Sequence, residues 1–147
     1  MRGEFTKTFP HYAPADLFAL VDDIESYPTF APFCRRARVL SGEGALRRVE
    51  NVFGAGPWQV RFVSEARADP PRELVIESSD GPLRAFRLRW LFESQREGCR
   101  LTCQWMLEFA SPLLNAGATL AGKDFERRVL DAFERRAAAT IGTRASA

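Results

Sequence analysis

Apolar and polar residues alternate through most of the chain between Arg38 and Phe109. The clearest examples are the segments Phe86–Glu93 and Arg100–Phe109, in which every second residue is apolar. A period of two is the pattern of a β-strand with one covered face and one exposed face. Turns rich in glycine, proline and acidic residues divide the region at Ser41–Gly44, Gly54–Pro57, Asp69–Pro71, Asp80–Pro82 and Glu97–Gly98. The pattern therefore predicts a run of about six strands joined as an antiparallel meander.

The last part of the chain, Ser111–Gly142, changes to a helical period. Ser111 and Pro112 form a helix-start signal, because serine can cap a helix and proline suits its first position. Apolar residues then recur at steps of three and four, so that they share one face of the helix. These residues are Leu114, Ala118, Ala121, Phe125, Val129, Ala132, Phe133 and Ile141. An unbroken helix of this length would be roughly 45 Å long.

Small residues weaken the first half of this predicted helix. Gly117 and Gly122 each cost about 1 kcal/mol of helix stability, whereas Phe125, Val129 and Phe133 make the second half bulky. We therefore expect a bend or a loosening between Gly117 and Gly122. The N-terminal half of the helix would then act as a movable clamp.

Shorter elements precede the strands. Phe5–Phe9 alternates and predicts a first strand, and the compact apolar segment Asp16–Val21 predicts a short helix. Two prolines prevent a long helix within Tyr27–Cys34, so a short helix or turn there displays aromatic residues. The order of elements predicts an α+β fold: a curved antiparallel sheet of about seven strands around a long C-terminal helix, with two short helices after strand 1. We interpret residues 1–147 as a single domain.

Composition adds few limits on function. Of the 147 residues, 46% are hydrophobic and 12 are phenylalanine, enough for a sizeable core or for the walls of a pocket. The net charge of +2 gives no overall field that would predict DNA binding. No secretory signal and no apolar run of about 18 residues is found, so we expect no membrane span. Three cysteines, an odd number, favour reduced thiols in a cytoplasmic protein.

Candidate catalytic residues are few. His11 is the only histidine, and its place beside a proline suits a surface loop. The acidic run of Asp22, Asp23 and Glu25 lies at a predicted helix boundary, where capping and the helix dipole explain it. Cysteines on strands without a nearby histidine are more typical of apolar filling than of nucleophiles. Without a phosphate-binding loop, metal-ligand spacing or triad, the sequence predicts a protein that is not an enzyme and uses no cofactor or metal.

Three parts of the sequence resemble a known family. Leu20–Cys34 is similar to the leucine-valine-aspartate, tyrosine-proline-x-phenylalanine and proline-tryptophan-cysteine segment of the coenzyme Q-binding START-like family. That family belongs to the polyketide cyclase/START superfamily and also includes the bacterial ribosome-association toxin proteins. Asp80–Leu83 with Trp90–Phe92, and then Ala132–Ala137, match later segments of the family in the same order. The resemblance implies the helix-grip fold, in which the sheet wraps around the C-terminal helix.

The resemblance also implies a carrier that binds and delivers a hydrophobic ligand. The ligand would be an isoprenoid quinone (ubiquinone), which supports respiratory electron transport, or another lipid. Apolar residues would line its pocket, although each of them taken singly is better explained as core. The proposed lining residues are Tyr27, Phe30, Phe33, Phe62, Phe86, Trp90, Trp105, Phe109, Phe125, Val129 and Phe133. Tyr27, Ser64 or Ser78 would hold the head group. Two departures from the family, Phe33 for tryptophan and Ile141 for an aromatic residue, imply a slightly different lining.

Runs of arginine leave a second interpretation open. The runs contain Arg35, Arg36, Arg38, Arg47, Arg48, Arg127, Arg128, Arg135 and Arg136. The planar guanidinium group suits phosphate, and the toxin branch of the resemblance implies contact with ribosomal RNA that blocks association of the subunits. An anionic membrane surface is a further partner, which would place the protein peripherally at the inner membrane. The pattern itself favours a solvated face with charge pairs such as Asp131 with Arg135.

Overall fold

The computed structural model describes residues 1–122 and 124–142, except for the side chain of Ala121 and the burial of Gly142. The strands within these residues are β1 (Arg2–Pro10), β2 (Cys34–Glu43), β3 (Leu46–Ala55), β4 (Trp58–Asp69), β5 (Glu73–Ser78), β6 (Leu83–Gln95) and β7 (Gly98–Phe109). These seven strands form one antiparallel sheet in the order β1-β7-β6-β5-β4-β3-β2. The predicted meander is confirmed, and β1 joins its end by pairing with β7.

The helices lie in two places along the chain. After β1 come α1 (Pro14–Asp22), a 3-10 turn (Ile24–Ser26) and α2 (Tyr27–Phe30), and after β7 come α3 (Pro112–Ala121), α4 (Phe125–Ala137) and a π-helical turn (Ala138–Gly142). Proline stands in the first turn of α1, α2 and α3, where its missing N–H and fixed φ do no harm. The α+β fold with two short helices after the first strand is confirmed.

The C-terminal helix is interrupted where its small residues end. Ser111 caps α3 by accepting a hydrogen bond from the Leu114 backbone N–H at 3.3 Å. Gly122 follows α3, and Asp124 takes a left-handed conformation with φ of 68°. A left-handed residue cannot continue a right-handed helix, so α3 and α4 are separate helices. The predicted weak point is confirmed, and it falls at the C-terminal end of the predicted range.

The core has two parts of unequal size. The larger part, which we call the main core, packs α1, α2 and α4 against residues from all seven strands, with Leu17, Leu74 and Leu101 almost fully buried. The smaller part, which we call the α3 cluster, lies where β3 and β7 end and where β4 and β6 begin. Its buried members are Phe62, Leu83 and Phe109, and its partly buried members are Phe53, Val60, Phe86, Leu107, Leu114 and Ala118. Among the α3 side chains that the structure describes, Leu114 and Ala118 belong to this cluster.

Candidate ligand-binding site

Four of the predicted lining residues form one aromatic group in the main core. Phe133 on α4 contacts the rings of Phe30, Trp90 and Tyr27, with centroid distances of 4.9, 5.2 and 5.7 Å. The rings of Tyr27 and Phe30 contact each other at 5.9 Å. Val129, one turn before Phe133, is buried in the same core. The Pro-broken segment around α2 thus packs its aromatic residues against α4.

A second group lies where α4 begins. Phe125 stacks on Phe33 at 6.3 Å and meets the edge of Trp105 at 5.3 Å. The Trp105 indole nitrogen donates to the Glu126 carboxylate at 2.9 Å, and the guanidinium carbon of Arg128 lies 4.6 Å above the Phe33 ring. These aromatic rings are only partly buried, so this group forms the rim of the apolar region and not its centre.

The third group is the aromatic part of the α3 cluster. Phe62 contacts Phe86 with a centroid distance of 5.4 Å, and Phe109 is buried in the same cluster. Phe53 also meets Phe62 at 5.4 Å, edge to face. Phe53 is not in the predicted lining set, although this residue continues the alternation of β3 just before Gly54. The predicted set therefore divides into three groups. Together they form an apolar layer between the helices and the sheet, which we call the seam.

The three hydroxyl groups predicted to hold a head group all make hydrogen bonds within the chain. Tyr27 donates to the carbonyl oxygen of Val21, and burial raises its pKa well above the ordinary value. Ser78 donates to the carbonyl oxygen of Val63 at 2.6 Å. Ser64 accepts a hydrogen bond from the Asn51 side-chain amide at 2.9 Å. These bonds join parts of the scaffold, which gives the three hydroxyls a structural role.

Trp90 carries a polar group in the seam that the sequence analysis treated as apolar. Its side chain is 2% exposed, and its indole nitrogen has no hydrogen-bond partner among the described residues. The neighbouring rings are Phe5, at 6.0 Å, and Phe133. A buried N–H without an acceptor costs about 1–3 kcal/mol. The seam therefore offers one unused donor in apolar surroundings.

Two cavities adjoin the predicted lining. One, of about 150 Å³, lies between α1 and the C-terminal turn, and Phe30, Arg136 and Ile141 are among its walls. The other is an open groove of about 690 Å³ at the end of β5, between β4 and β6, and Phe86 and Ser78 are among its walls. Each cavity thus touches one aromatic residue of the predicted set. Phe30 lines the smaller cavity and also contacts the Phe133 ring, which in turn contacts the Trp90 ring.

The cysteines have features that suit structural roles. Burial raises the pKa of the Cys34 and Cys99 thiols to about 11, and it raises the pKa of Cys103 further still. All three thiols are free and buried. The thiols therefore remain protonated at neutral pH and are poor nucleophiles. Within the described residues, no group of three histidine, cysteine, aspartate or glutamate side chains is placed to hold a metal ion.

The arginine runs separate into exposed and structural members. Arg36 and Arg38 are exposed and lie beside Glu50, a carboxylate on β3 with a side chain that is 5% exposed. Arg61 donates to the same carboxylate, and mainly this hydrogen bond holds the pKa of Glu50 below its ordinary value. Arg47, in contrast, is largely buried. The prediction of Arg47 as part of a basic surface run is therefore wrong.

Arg47 ties β3 to the end of α1. Its guanidinium group bonds to the Asp22 carboxylate and donates to the Asp22 carbonyl oxygen at 3.1 Å. The other acidic residues of that run also make local contacts: Ser26 donates to Asp23 at 2.6 Å, and the Val39 backbone N–H donates to Glu25 at 3.1 Å. The acidic run thus positions the segment that carries the Tyr27 ring.

A family model described as polyketide cyclase / dehydrase and lipid transport matches residues 10–134. The chain belongs to this family. The family includes cyclase enzymes as well as lipid-binding proteins of START-like fold, so the resemblance found in the sequence is confirmed. The crystal structure of TTHA0849 from Thermus thermophilus superposes with a TM-score of 0.79 at 22% identity, covering 95% of this chain and 98% of that one. The helix-grip architecture is thereby confirmed.

Relatives with established names carry different functions. Ribosome association toxin RatA of Pseudomonas aeruginosa is 28% identical over 132 residues, which are 89% of this chain and 92% of that protein. Coenzyme Q-binding protein COQ10 homolog B, mitochondrial, of Xenopus laevis is 28% identical over 131 residues, 86% of this chain and 54% of that protein. These two names match the two interpretations of the sequence without separating them.

The same fold also occurs in enzymes. The crystal structure of the ZhuI aromatase/cyclase from Streptomyces sp. R1128 superposes with a TM-score of 0.68 at 15% identity, covering 92% of this chain and 94% of that one. The absence of enzymatic activity therefore stays a prediction for this chain.

None of the helices in residues 1–122 and 124–142 combines the length and hydrophobicity needed to cross a bilayer.

Proposed function

We propose that this protein binds an isoprenoid quinone, or a lipid of similar shape, between its C-terminal helices and the concave face of the sheet. The observation that carries the proposal is the buried, unpartnered indole N–H of Trp90 within the aromatic seam. A quinone carbonyl is an acceptor on a flat, largely apolar ring. One of the two carbonyl oxygens of such a ring would accept the hydrogen bond that Trp90 leaves unused.

The concave positions of β6 supply a track for the rest of the ligand. Phe86, Leu88 and Trp90 alternate along the strand and face the same side of the sheet. Trp90 lies in the main core and Phe86 in the α3 cluster, so the three residues connect the two parts of the apolar interior. A ligand with its head at Trp90 would extend its tail toward Phe86. Each buried methylene of the tail would contribute about 0.8 kcal/mol.

Helix α3 is the element that would move to admit the ligand. Of the described side chains of α3, Leu114 and Ala118 pack on the cluster beneath it. The break at Gly122 and Asp124 separates α3 from α4, so α3 can shift while α4 keeps its place in the main core. Separate stability of neighbouring elements is the usual basis of ligand gating. The opening would expose the rings of Phe62, Phe86 and Phe109 to an entering tail.

The experiment is a binding titration with a set of isoprenoid quinones of several tail lengths, combined with organic extraction and mass spectrometry of the purified protein. Trp90→Phe keeps an aromatic ring and removes the N–H donor. We expect it to weaken quinone binding about two- to tenfold, as loss of one hydrogen bond predicts. Binding of squalene, an isoprenoid without a carbonyl group, should be the same in both proteins.

Trp58→Phe is the matched control, because it removes an indole N–H from a ring that is 68% exposed and lies outside the predicted lining. It should leave quinone affinity near that of the unchanged protein. Quinone binding no greater than that of a control protein, at every tail length, would refute the proposal. Equal losses in the Trp90 and Trp58 variants would also refute the assigned role of Trp90.

Contact with the ribosome is the second candidate function. It is favoured by the near full-length match to proteins named ribosome association toxin. One carboxylate, that of Glu50, is shared by three exposed arginines: Arg36, Arg38 and Arg61. This patch of four residues therefore keeps an excess of positive charge. Such a patch suits the phosphate backbone of ribosomal RNA.

Co-sedimentation with ribosomal subunits across a salt series tests this candidate. Binding through phosphate contacts should fall steeply as the salt concentration rises. Arg36→Gln with Arg38→Gln should weaken it, whereas Arg67→Gln with Arg72→Gln, which removes two other exposed arginines, should not. No co-sedimentation at low salt would remove the candidate.

A further inference from the structure

Helix α3 exposes an apolar stripe to solvent. Leu113 is 76% exposed and Leu120 is 81% exposed, and the two residues share a face because they are seven positions apart. None of the residues in Pro112–Ala121 is charged. A surface helix of a globular protein normally turns charged residues toward water. This face of α3 is therefore unusual for a helix that meets only solvent.

The turn between β3 and β4 places a large aromatic ring, that of Trp58, close to the α3 cluster. Trp58 is 68% exposed at the start of β4. It is two residues from Val60, so both face the same side of the strand, and Val60 packs in the α3 cluster with Leu114 and Ala118. Trp58 thus extends beyond the cluster that α3 covers. Tryptophan at such a rim is typical of proteins that meet the interface of a bilayer.

Two arginines border this apolar surface. Arg35 donates to the Gly56 carbonyl oxygen at 2.6 Å and to the Gln59 side chain at 3.2 Å, both in or next to the same turn. Arg128 lies over the Phe33 ring, and the Phe33 carbonyl oxygen accepts a hydrogen bond from Gly54 at 2.9 Å. Both guanidinium groups contact neutral partners in these interactions. Among the described residues, neither Arg35 nor Arg128 forms a salt bridge, so both positive charges are available to an anionic partner.

We propose that the outer face of α3 and the β3–β4 turn form a docking surface for an anionic lipid bilayer. Leu113, Leu120 and Trp58 would enter the acyl boundary, while Arg35 and Arg128 would bind lipid phosphate groups. The combination of an uncharged exposed helix face with an arginine border fits a lipid surface better than it fits RNA, because RNA would leave the leucines in water. The surface does not depend on which ligand the interior binds.

Vesicle sedimentation with the unchanged protein tests the proposal. The probes are vesicles of phosphatidylcholine alone and of phosphatidylcholine mixed with phosphatidylglycerol, both without quinone. We expect binding to the mixed vesicles, and a fall of at least about tenfold when Leu113→Gln and Leu120→Gln are combined. Arg35→Gln with Arg128→Gln should lower binding by about fivefold for each charge. Brominated lipids should quench the fluorescence of Trp58, an emission that Trp58→Phe removes.

Matched controls lie near the β2–β3 and β4–β5 turns, at the end of the sheet away from the β3–β4 turn. Leu40→Gln with Leu46→Gln replaces two other exposed leucines near the β2–β3 turn, and Arg67→Gln with Arg72→Gln replaces two other exposed arginines. Both pairs should leave vesicle binding unchanged. Thermal unfolding of every variant checks that the fold is retained.

Three results would overturn the proposal. The first is an absence of binding to both kinds of vesicle. The second is an equal loss in the control pairs, or binding that salt abolishes and the leucine replacements do not change. The third is a stable dimer that Leu113→Gln with Leu120→Gln converts to a monomer, which would assign the surface to a second copy of the chain. Because the vesicles contain no quinone, a failed docking experiment leaves the quinone titration unaffected, and the reverse also holds.

Discussion

Gly3 lies directly against the indole of Trp105. The two residues are opposite each other on β1 and β7, and a methyl group at position 3 would come within 2.7 Å of the Trp105 indole nitrogen. It would also come within 2.8 Å of the Glu126 carboxylate, which accepts the hydrogen bond from that nitrogen. The absence of a side chain at position 3 thus allows α4 to be tied to the sheet.

Replacing Gly3 should therefore weaken the attachment of α4. We expect Gly3→Ala to lower the free energy of unfolding by about 1–3 kcal/mol, as overpacking against a rigid ring does. Urea unfolding measures this. In a Glu126→Ala background the same substitution should cost less, because the carboxylate and its bond are already gone. An unchanged urea midpoint for Gly3→Ala would contradict the prediction.

Asn115 should control the local stability of α3. Its side chain accepts from the Phe109 backbone N–H at 2.8 Å and donates to the Phe109 carbonyl oxygen at 2.9 Å. We expect Asn115→Ala to cost about 1–3 kcal/mol, because the Phe109 backbone groups lose both of these bonds. Hydrogen exchange should accelerate in α3 and stay slow in α4. Thr119→Ala, which removes an exposed hydroxyl from the same helix, is the control, and equal acceleration in both helices would argue against separate opening of α3.

Phe133 should be the most costly aromatic residue to truncate. Its ring contacts those of Tyr27, Phe30 and Trp90, and it is 3% exposed. We expect Phe133→Ala to destabilise the protein by about 3–5 kcal/mol. Phe125→Ala, on the half-buried rim, should cost less. Chemical denaturation compares the two, with Phe133→Leu as a milder variant if Phe133→Ala fails to fold, and a larger cost at Phe125 would contradict this order.

Glu50 should make stability depend on pH in the acidic range. Its pKa is lowered in the folded protein, first by the hydrogen bond from Arg61. A lowered folded pKa means that the stabilising contribution is present above the ordinary glutamate pKa and is lost as the pH falls through the lowered value. The difference in stability between the unchanged protein and Glu50→Gln should therefore be present at neutral pH and shrink in acid. Glu43→Gln, at the end of β2, is the control, and a difference that grows in acid would refute the assignment.

The three cysteines should react slowly with thiol reagents in the folded protein. They are buried, and burial raises the pKa of Cys34 and Cys99 to about 11. Since the thiolate is the reactive form, modification by Ellman's reagent at neutral pH should require unfolding. A cysteine introduced by Thr119→Cys, on the exposed side of α3, should react quickly under the same conditions. Rapid reaction of the native cysteines without loss of structure would disprove the prediction.

Local patterns were sufficient for the order and the type of the elements. The alternation in Phe86–Glu93 and Arg100–Phe109 predicted β6 and β7, because a strand with one covered face needs apolar residues at every second position. The helix break was also predictable, since Gly117 and Gly122 lower helix stability within a few residues of each other. The left-handed conformation of Asp124 was not, because an aspartate in a helical pattern gives no warning of it.

Contacts between distant segments decided the candidate site. The sequence selected Trp90 for its apolar surface, but the unpartnered indole N–H depends on which rings fold around it. Arg47 looked like a surface charge until its bond to Asp22 placed it mostly out of solvent. Tyr27 looked like a head-group donor, but the Val21 carbonyl oxygen accepts its hydrogen bond.

The sequence by itself determined the α+β fold, the strand order along the chain, the weak point of the C-terminal helix and, through residue motifs, the family. Each of these depends on neighbours in the chain, whose periods of two and of three to four residues can be read directly. The tertiary structure decided which polar groups are satisfied, and which apolar residues are core, rim or exposed stripe. Burial and hydrogen-bond pairing depend on residues that are far apart in sequence, so Leu114 and Leu113, neighbours in one helix, have opposite surroundings.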